Sequence, residues 1–355
     1  MPRPWEPASP DCHVIAVLVT DSDGRTGQGF SWTPTIGAAA ITALLRHDIT
    51  KFAVGRPADP REVWTDLWTR LHEIGGGGVT TIAMAGLDTA LWDLVLRSAD
   101  ETLLDALGRT HDRAPVYGSG VNLHYSRAQL ADQVGRWVAR GYRAAKMKVG
   151  TPDLERDRAR VRLARDILGD DRLLMLDANQ RWDVETAAAS ITRLADFVPA
   201  WIEEPLRSDD LVGYRRLRRL IDTPIALGEN LHNIHQFRTV LEAGIASYIQ
   251  PNVIRVGGIT PFLEIAQLAD EYGVPVAPHA LPDLSGQLAL ARADTIWVED
   301  IEDAGLEALG VLTRPSPVRI EDGWAVVEEQ PGLGLEFVGV ASGGDESVAS
   351  EIGAV

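Results

Sequence analysis

Leu173-Leu174-Met175-Leu176-Asp177, Trp201-Ile202-Glu203 and Leu227-Gly228-Glu229 are three short apolar runs that each end in a carboxylate, with 26 residues separating the acids at both steps. A run of this length has room for one strand, and each interval has room for one helix. Three consecutive βα units then put one carboxylate apiece at the same rim of a parallel barrel, the rim where such barrels keep their active sites. Carboxylates converging on one point repel unless a cation neutralises them. An all-oxygen set without His or Cys suits Mg²⁺, with water and substrate completing an octahedron. A lone strand-end acid is usually a helix cap, but three at equal spacing make Asp177, Glu203 and Glu229 candidate metal ligands.

The same rhythm extends in both directions. Strands are predicted at 116–123, 143–149, 172–177, 200–203, 224–228, 246–250, 275–278 and 295–298, each but the last followed by a helix-like stretch. Stripes such as Leu130, Val134, Trp137 and Val138 are core packing. The expected fold class is α/β, a modified TIM barrel of (β/α)7β type spanning 116–320. Before it, 13–20 alternates like an antiparallel strand, Asp23-Gly24 supplies a turn and 26–32 reads as the partner strand. Two or three helices follow, so 1–115 is expected to be an α+β domain. The last 15 residues are small, acidic and read as a frayed tail. The glycine run Gly75 to Gly78, within 71–80, reads as a mobile loop; without an adjacent Lys or a preceding strand it is a poor phosphate cradle.

Lys146-Met147-Lys148 lies on the predicted second strand, where alternation sends both lysines to the barrel interior. Two ammonium groups near a divalent cation are expected to lower each other's pKa, so that Lys148, nearer the rim, can accept a proton. The plainer alternative is a surface strand with two solvated lysines, and the neighbouring acidic cluster weighs against it. His279 ends the predicted seventh strand and Glu299 the eighth. A strand-end His alone is more often structural; opposite a lysine base it becomes a second acid or base. Asn122 and His124, after the first strand, are candidates for contacts with substrate hydroxyls, against ordinary loop polarity.

These residues resemble the mandelate racemase subgroup of the enolase superfamily. The motifs run through Lys146-Met147-Lys148, Asp177-Ala178-Asn179, Trp201-Ile202-Glu203-Glu204-Pro205, Gly228-Glu229-Asn230, Val256-Gly257-Gly258-Ile259-Thr260, His279 and Glu299, with Met84 to Leu94 similar to the helix that closes the family's cap. The resemblance implies one Mg²⁺ per subunit on Asp177, Glu203 and Glu229, and Lys148 as a base. It implies that Lys146 neutralises the substrate carboxylate, that Asn179 helps hold the substrate, and that Glu299, if protonated, is a hydrogen-bond partner to the enolate oxygen. The resemblance also implies that 1–115 is a domain capping the barrel, that 321–355 returns to that cap, and that the protein forms a homo-oligomer.

Two positions depart from the family. Its catalytic His is paired with an Asp at the end of the sixth strand, where this chain has Asn252. An Asn can orient the imidazole but adds no charge, so His279 should be less basic. That favours an acid-sugar dehydratase, or a cycloisomerase opening a lactone or anhydro ring, over a racemase needing strong bases on both faces. A non-catalytic ligand-binding relative is the reading from another class, and retention of the whole residue set opposes it. The family's first capping strand also normally precedes 13–20, and Trp5, in Pro2-Arg3-Pro4-Trp5, is a candidate substrate wall.

The formal net charge of −17 argues against nucleic acid or an anionic membrane surface as partner, since both need clustered Lys and Arg. A small carboxylate, such as a sugar acid, can still be held locally by a metal ion and a few buried cations. Cys12 is the single cysteine, which excludes an intramolecular disulfide and suits a reducing cytoplasm. No signal-peptide core is read near Met1, and no run of about 18 apolar residues is expected.

Overall fold

The computed structural model describes residues 12–293 and 297–340, so Trp5 and the tail from 341 lie outside the described residues. Strands β1 (Cys12–Thr20) and β2 (Thr26–Pro34) form an antiparallel hairpin, its turn fixed by Asp21 Oδ1, which accepts from the backbone N–H groups of Asp23 and Arg25. The hairpin packs on helix Val79–Ala99. Gly29 permits the approach, because a Cβ there would fall 2.2 Å from the Ala90 nitrogen. This helix is long and apolar enough to cross a membrane, against the expectation that no run is. Asp88 and Asp93 mask its length in the sequence, and 83% of its apolar window is buried inside the protein.

The barrel strands β3 (Ala114–Gly120), β4 (Ala144–Lys148), β5 (Leu173–Asp177), β6 (Ile202–Glu203), β7 (Ile225–Leu227) and β8 (Tyr248–Ile249) pair in parallel in chain order. A parallel bridge from Ile249 to Val276 marks the seventh position, and β9 (Val298–Ile301) pairs with β3. A helix follows each of the first seven positions: Arg127–Ala139, Leu154–Leu168, Val184–Leu194, Leu211–Leu217, Ile234–Glu242, Ile259–Tyr272 and Pro282–Leu290. Ser126, Asp153, Asp183, Asp210 and Asn233 cap five of these by accepting from first-turn N–H groups.

Three details differ from the sequence reading. The seventh strand shrinks to a bridge because Pro275 and Pro278 lack the N–H groups a ladder needs. The eighth runs from Val298, not from 295 to 298, so Glu299 lies inside the strand and not at its end. Strands β10 (Val318–Glu321) and β11 (Trp324–Val327) form an unanticipated hairpin, and β11 adds to β3 antiparallel. Beyond it the chain reaches the first hairpin and its helix: Leu333 N–H donates to Asp93 Oδ1 (2.8 Å) and Phe337 N–H to Gln28 Oε1 (2.9 Å).

The N-terminal part docks on Val256-Gly257-Gly258-Ile259-Thr260. Trp64 Nε1 donates to the Gly257 carbonyl (3.0 Å), Trp92 Nε1 to Thr260 Oγ1 (3.0 Å), and Thr260 N–H to Asp88 Oδ2 (3.1 Å). Asp88 thus caps a barrel helix from another element, a favourable place for a carboxylate. Gly258 is required there: its φ is +116° and a Cβ would fall 2.2 Å from Asp88 Oδ2. Burial, opposed by the Thr260 and Ile259 bonds and by Arg61, pushes the Asp88 carboxyl up to about 7 from its ordinary 3.8. The folded state therefore holds this proton more tightly than the unfolded chain. Stability from this group is complete below about pH 3.8 and is lost as pH rises to about 7, a swing of order 4 kcal/mol. Asp88→Asn should flatten that part of the profile, measured as urea-unfolding free energy at intervals between pH 4 and 8.

Candidate active site

Strand register sets the depth of each candidate. Lys148 pairs with Asp177 and Asp177 with Glu203, so the three share one layer at the C-terminal rim. Lys146 lies a layer deeper, above a packed floor of Tyr117, Ala144, Met175, Trp201, Ala226 and Ala277. That floor excludes water from below and makes the charges above it costly to leave unpaired.

Each carboxylate is engaged by the chain. Lys148 Nζ is 2.5 Å from Asp177 Oδ2. Lys146 Nζ lies between Glu203 Oε1 (2.6 Å) and Glu299 Oε1 (2.7 Å), with its side chain 1% exposed. Gln250 Nε2 donates to Glu203 Oε2 (2.7 Å). His279 Nε2 is 2.9 Å from Glu229 Oε2, and Asn230 Nδ2 donates to both Glu229 Oε1 and Glu204 Oε2. Ala280 N–H donates to Glu299 Oε2 (2.9 Å).

The charge balance is uneven. Asp177, Glu203, Glu204, Glu229 and Glu299 are all buried, against the two lysines. Burial, opposed by Lys146 and reinforced by Asp177, Glu299 and Glu229, pushes Glu203 up to about 8. Burial and the charges of Glu229 and Asp177 hold Glu204 well above the usual carboxylate range, and among the described residues its Oε1 has no hydrogen-bond partner. The cluster thus holds more buried carboxylates than the two lysines can balance.

Two expectations are corrected here. Burial alone would depress Lys146, but Glu203 and Glu299 outweigh it and hold its pKa well above that of an ordinary lysine. The expected lowering of Lys146 therefore does not occur, because the carboxylates around its ammonium set the local potential. Glu299 is not protonated: burial raises its carboxyl, but the Lys146 ammonium 2.7 Å away overcomes that and holds it below the usual carboxylate range.

Asn252 meets His279, with Nδ2 3.0 Å from Nδ1. Asn179, at φ 44°, turns back on Asp177, its N–H donating to Oδ1 (2.7 Å) and its Nδ2 to Oδ2 (3.1 Å), so it braces a carboxylate instead of facing open space. Asn122 and His124 are exposed in the loop beyond β3; among the described residues neither side chain contacts the cluster, because Val121, at φ 49°, turns the chain at the strand's end. Trp5 lies outside the described residues. The run Gly75 to Gly78, expected to be a mobile loop, is tied to the rim just beyond Glu229, since Asn233 Nδ2 donates to the Gly76 carbonyl (2.7 Å).

Sequence patterning did not single out Glu204, Gln250 or Arg160. Strict alternation points Glu204 away from the interior, and its φ of 35° overrides that. Gln250 was legible as the inward partner of Tyr248 at period two. Arg160, on the helix after β4, is buried and donates to the carbonyls of Lys148 (2.8 Å), Val121 (3.1 Å) and Asn122 (2.9 Å), fixing the backbone that carries Lys148. Its helical stripe position gave no sign of this.

Among the described residues no three His, Cys, Asp or Glu side chains stand ready-made around a metal position, because Asp177, Glu203 and Glu229 turn their oxygens to Lys148, Lys146 and His279. The donor chemistry nonetheless fits a hard divalent cation: the set is all oxygen, buried, and carries more negative charge than the chain neutralises.

A parallel (β/α)7β barrel with an acidic rim, two interior lysines and an N-terminal α+β cap is the architecture of enolase-type enzymes. Residues 9–108 match the mandelate racemase / muconate lactonizing enzyme N-terminal domain, and 129–340 match the enolase C-terminal domain-like family. The chain belongs to the enolase superfamily, mandelate racemase subgroup. It is 37% identical to a 3,6-anhydro-alpha-L-galactonate cycloisomerase of Streptomyces coelicolor, over 92% of this chain and 89% of that one. It is 33% identical to an L-talarate/galactarate dehydratase of Salmonella typhimurium, over 81% and 73%. An L-talarate dehydratase from Polaromonas, solved with Mg and L-glucarate, superposes with a TM-score of 0.85 at 35% identity, over 92% of this chain and 90% of that one. The chain is therefore an enzyme of this superfamily, with Mg²⁺ as its cofactor.

Proposed function

We propose that this enzyme removes the proton α to the carboxylate of a sugar acid and then expels a β-oxygen. The observation that carries this reading is Lys148: its ammonium reaches the rim layer beside Asp177, it is the more accessible of the two lysines, and His279 stands across the site beside Glu229. Asp177, Glu203 and Glu229 would hold the Mg²⁺, which when bound stabilises negative charge developing on the substrate carboxylate.

Lys148, after its Nζ has given up one proton to solvent, takes the α-proton on the freed lone pair. Lys146, locked in its charged form by Glu203 and Glu299, presents positive charge toward the carboxylate from below. Glu299 is ionised, so its part is to anchor Lys146 and the Ala280 N–H, and not to donate to an enolate oxygen. His279 assists departure of the β-oxygen from the opposite side. A free hydroxyl as leaving oxygen makes the reaction a dehydration. A ring oxygen makes it a cycloisomerisation, and the 37% identity to a cycloisomerase over nearly the full chain supports keeping that second reading.

Incubation with Mg²⁺ and an acid-sugar library in D₂O, followed by NMR, should show α-proton exchange together with 2-keto acids or ring-opened products. Exchange with inversion and no elimination would instead make the enzyme a racemase. No exchange in any acid would remove the proposal.

A further inference from the structure

Asn252 has four hydrogen-bonding contacts that together decide which way its amide faces. Oδ1 accepts from the backbone N–H of Ile254 (3.0 Å) and of Arg255 (3.0 Å). Nδ2 faces His279 Nδ1 (3.0 Å) and the His279 carbonyl oxygen (3.3 Å). The residue is fully buried, so no water is at hand to rescue a wrong orientation. Turning the amide over would set Nδ2 against two backbone donors and Oδ1 against a carbonyl acceptor. Three contacts fix the orientation without reference to the imidazole, and the fourth then reports on the imidazole itself.

With an N–H₂ group pointed at it, Nδ1 of His279 has to be an acceptor. The ring proton of the neutral imidazole therefore sits on Nε2. An Asp at 252 would keep one oxygen on the two backbone donors and turn the other to Nδ1, which would pull the ring proton to Nδ1 and leave Nε2 with its lone pair.

We propose that Asn252 is a positioning residue that holds His279 as the Nε2–H tautomer, so that the imidazole meets the substrate as a hydrogen-bond donor and is denied the role of base, leaving Lys148 as the one group that removes an α-proton. This rests on the function proposed above and adds a specificity to it. Of two acids epimeric at the α-carbon, the one whose proton faces Lys148 reacts, and the one whose proton faces His279 binds without exchange. The departing oxygen leaves with the C–O electron pair, stabilised by a hydrogen bond from Nε2–H, and takes its proton from solvent, while no lone pair on that side can accept a proton from carbon.

The test has two readouts. Protein with ¹⁵N-labelled histidine, without metal or substrate, is examined by long-range ¹H–¹⁵N correlation, His279 being assigned by loss of its signals in His279→Gln. A pyridine-type Nδ1 with a pyrrole-type Nε2 supports the proposal. The reverse pattern, or pyrrole-type shifts at both nitrogens, overturns it. Asn252→Asp is expected to exchange the two shifts while retaining the fold, and unchanged shifts in that variant would show that Asn252 does not set the tautomer.

The second readout is α-proton exchange in D₂O with epimeric pairs of acid sugars. Wild type should exchange one epimer of each reactive pair, and Asn252→Asp should gain exchange of the other. Wild-type exchange of both epimers would refute the one-sided chemistry. Absence of all exchange would remove the proposed function, while the tautomer would still stand or fall on the nitrogen shifts.

Discussion

Lys148→Ala should abolish α-proton exchange while leaving the fold intact. Loss of a positioned base costs about 10²- to 10⁴-fold in rate, and the other residues of the rim layer, Asp177 and Glu203, are the carboxylates that would hold the Mg²⁺ and are not free to serve as the base. The side chain is partly exposed and forms one ion pair, with the buried Asp177, so its removal should cost less stability in urea than removal of the fully buried Lys146. Single-turnover exchange measured at saturating substrate would check this, with KM little altered. Exchange at more than a small fraction of the wild-type rate would move the base elsewhere.

Lys146→Met should have the opposite signature. Its ammonium is the shared partner of Glu203 and Glu299, all three being buried. Removing one member of a buried ionic group leaves the others uncompensated, a loss of about 3–5 kcal/mol. Part of the cost should be recovered by adding Mg²⁺, because a ligand that binds only the folded state stabilises it in proportion to its occupancy. Thermal melts with and without Mg²⁺ would show a larger metal-dependent rise in Tm for the variant than for wild type. Equal rises would mean that cation and ammonium do not serve the same carboxylates.

Much of this site was legible because barrel geometry converts spacing into position. Asp177, Glu203 and Glu229 recur at the length of one strand plus one helix, and Lys146 and Lys148 share a face through the two-residue period of β4. What escaped were properties decided by contacts between elements. The charge of Lys146 depends on two carboxylates brought in by β6 and β9, and the ionisation of Glu299 depends on Lys146 in turn. Neither can be read from its own strand. Asn122 and His124 stand exposed beyond β3, where the positive φ of Val121 turns the chain, and local composition carries no sign of that turn. The hairpin of β10 and β11 was missed because runs of four residues are too short to show a period. The bridge at Val276 was read as a full strand because its flanking prolines were given too little weight.

The seat of Asp88 against Gly258 has a practical consequence for anyone building chimeras from this scaffold. The two residues belong to different parts of the chain, and neither tolerates a change in the other: a side chain at 258 would collide with the carboxylate, while loss of the carboxylate would uncap helix Ile259–Tyr272. A graft of the first hundred residues onto a foreign barrel should therefore succeed only when the recipient carries the matching glycine turn, and crossover points are better chosen by that pairing than by overall similarity.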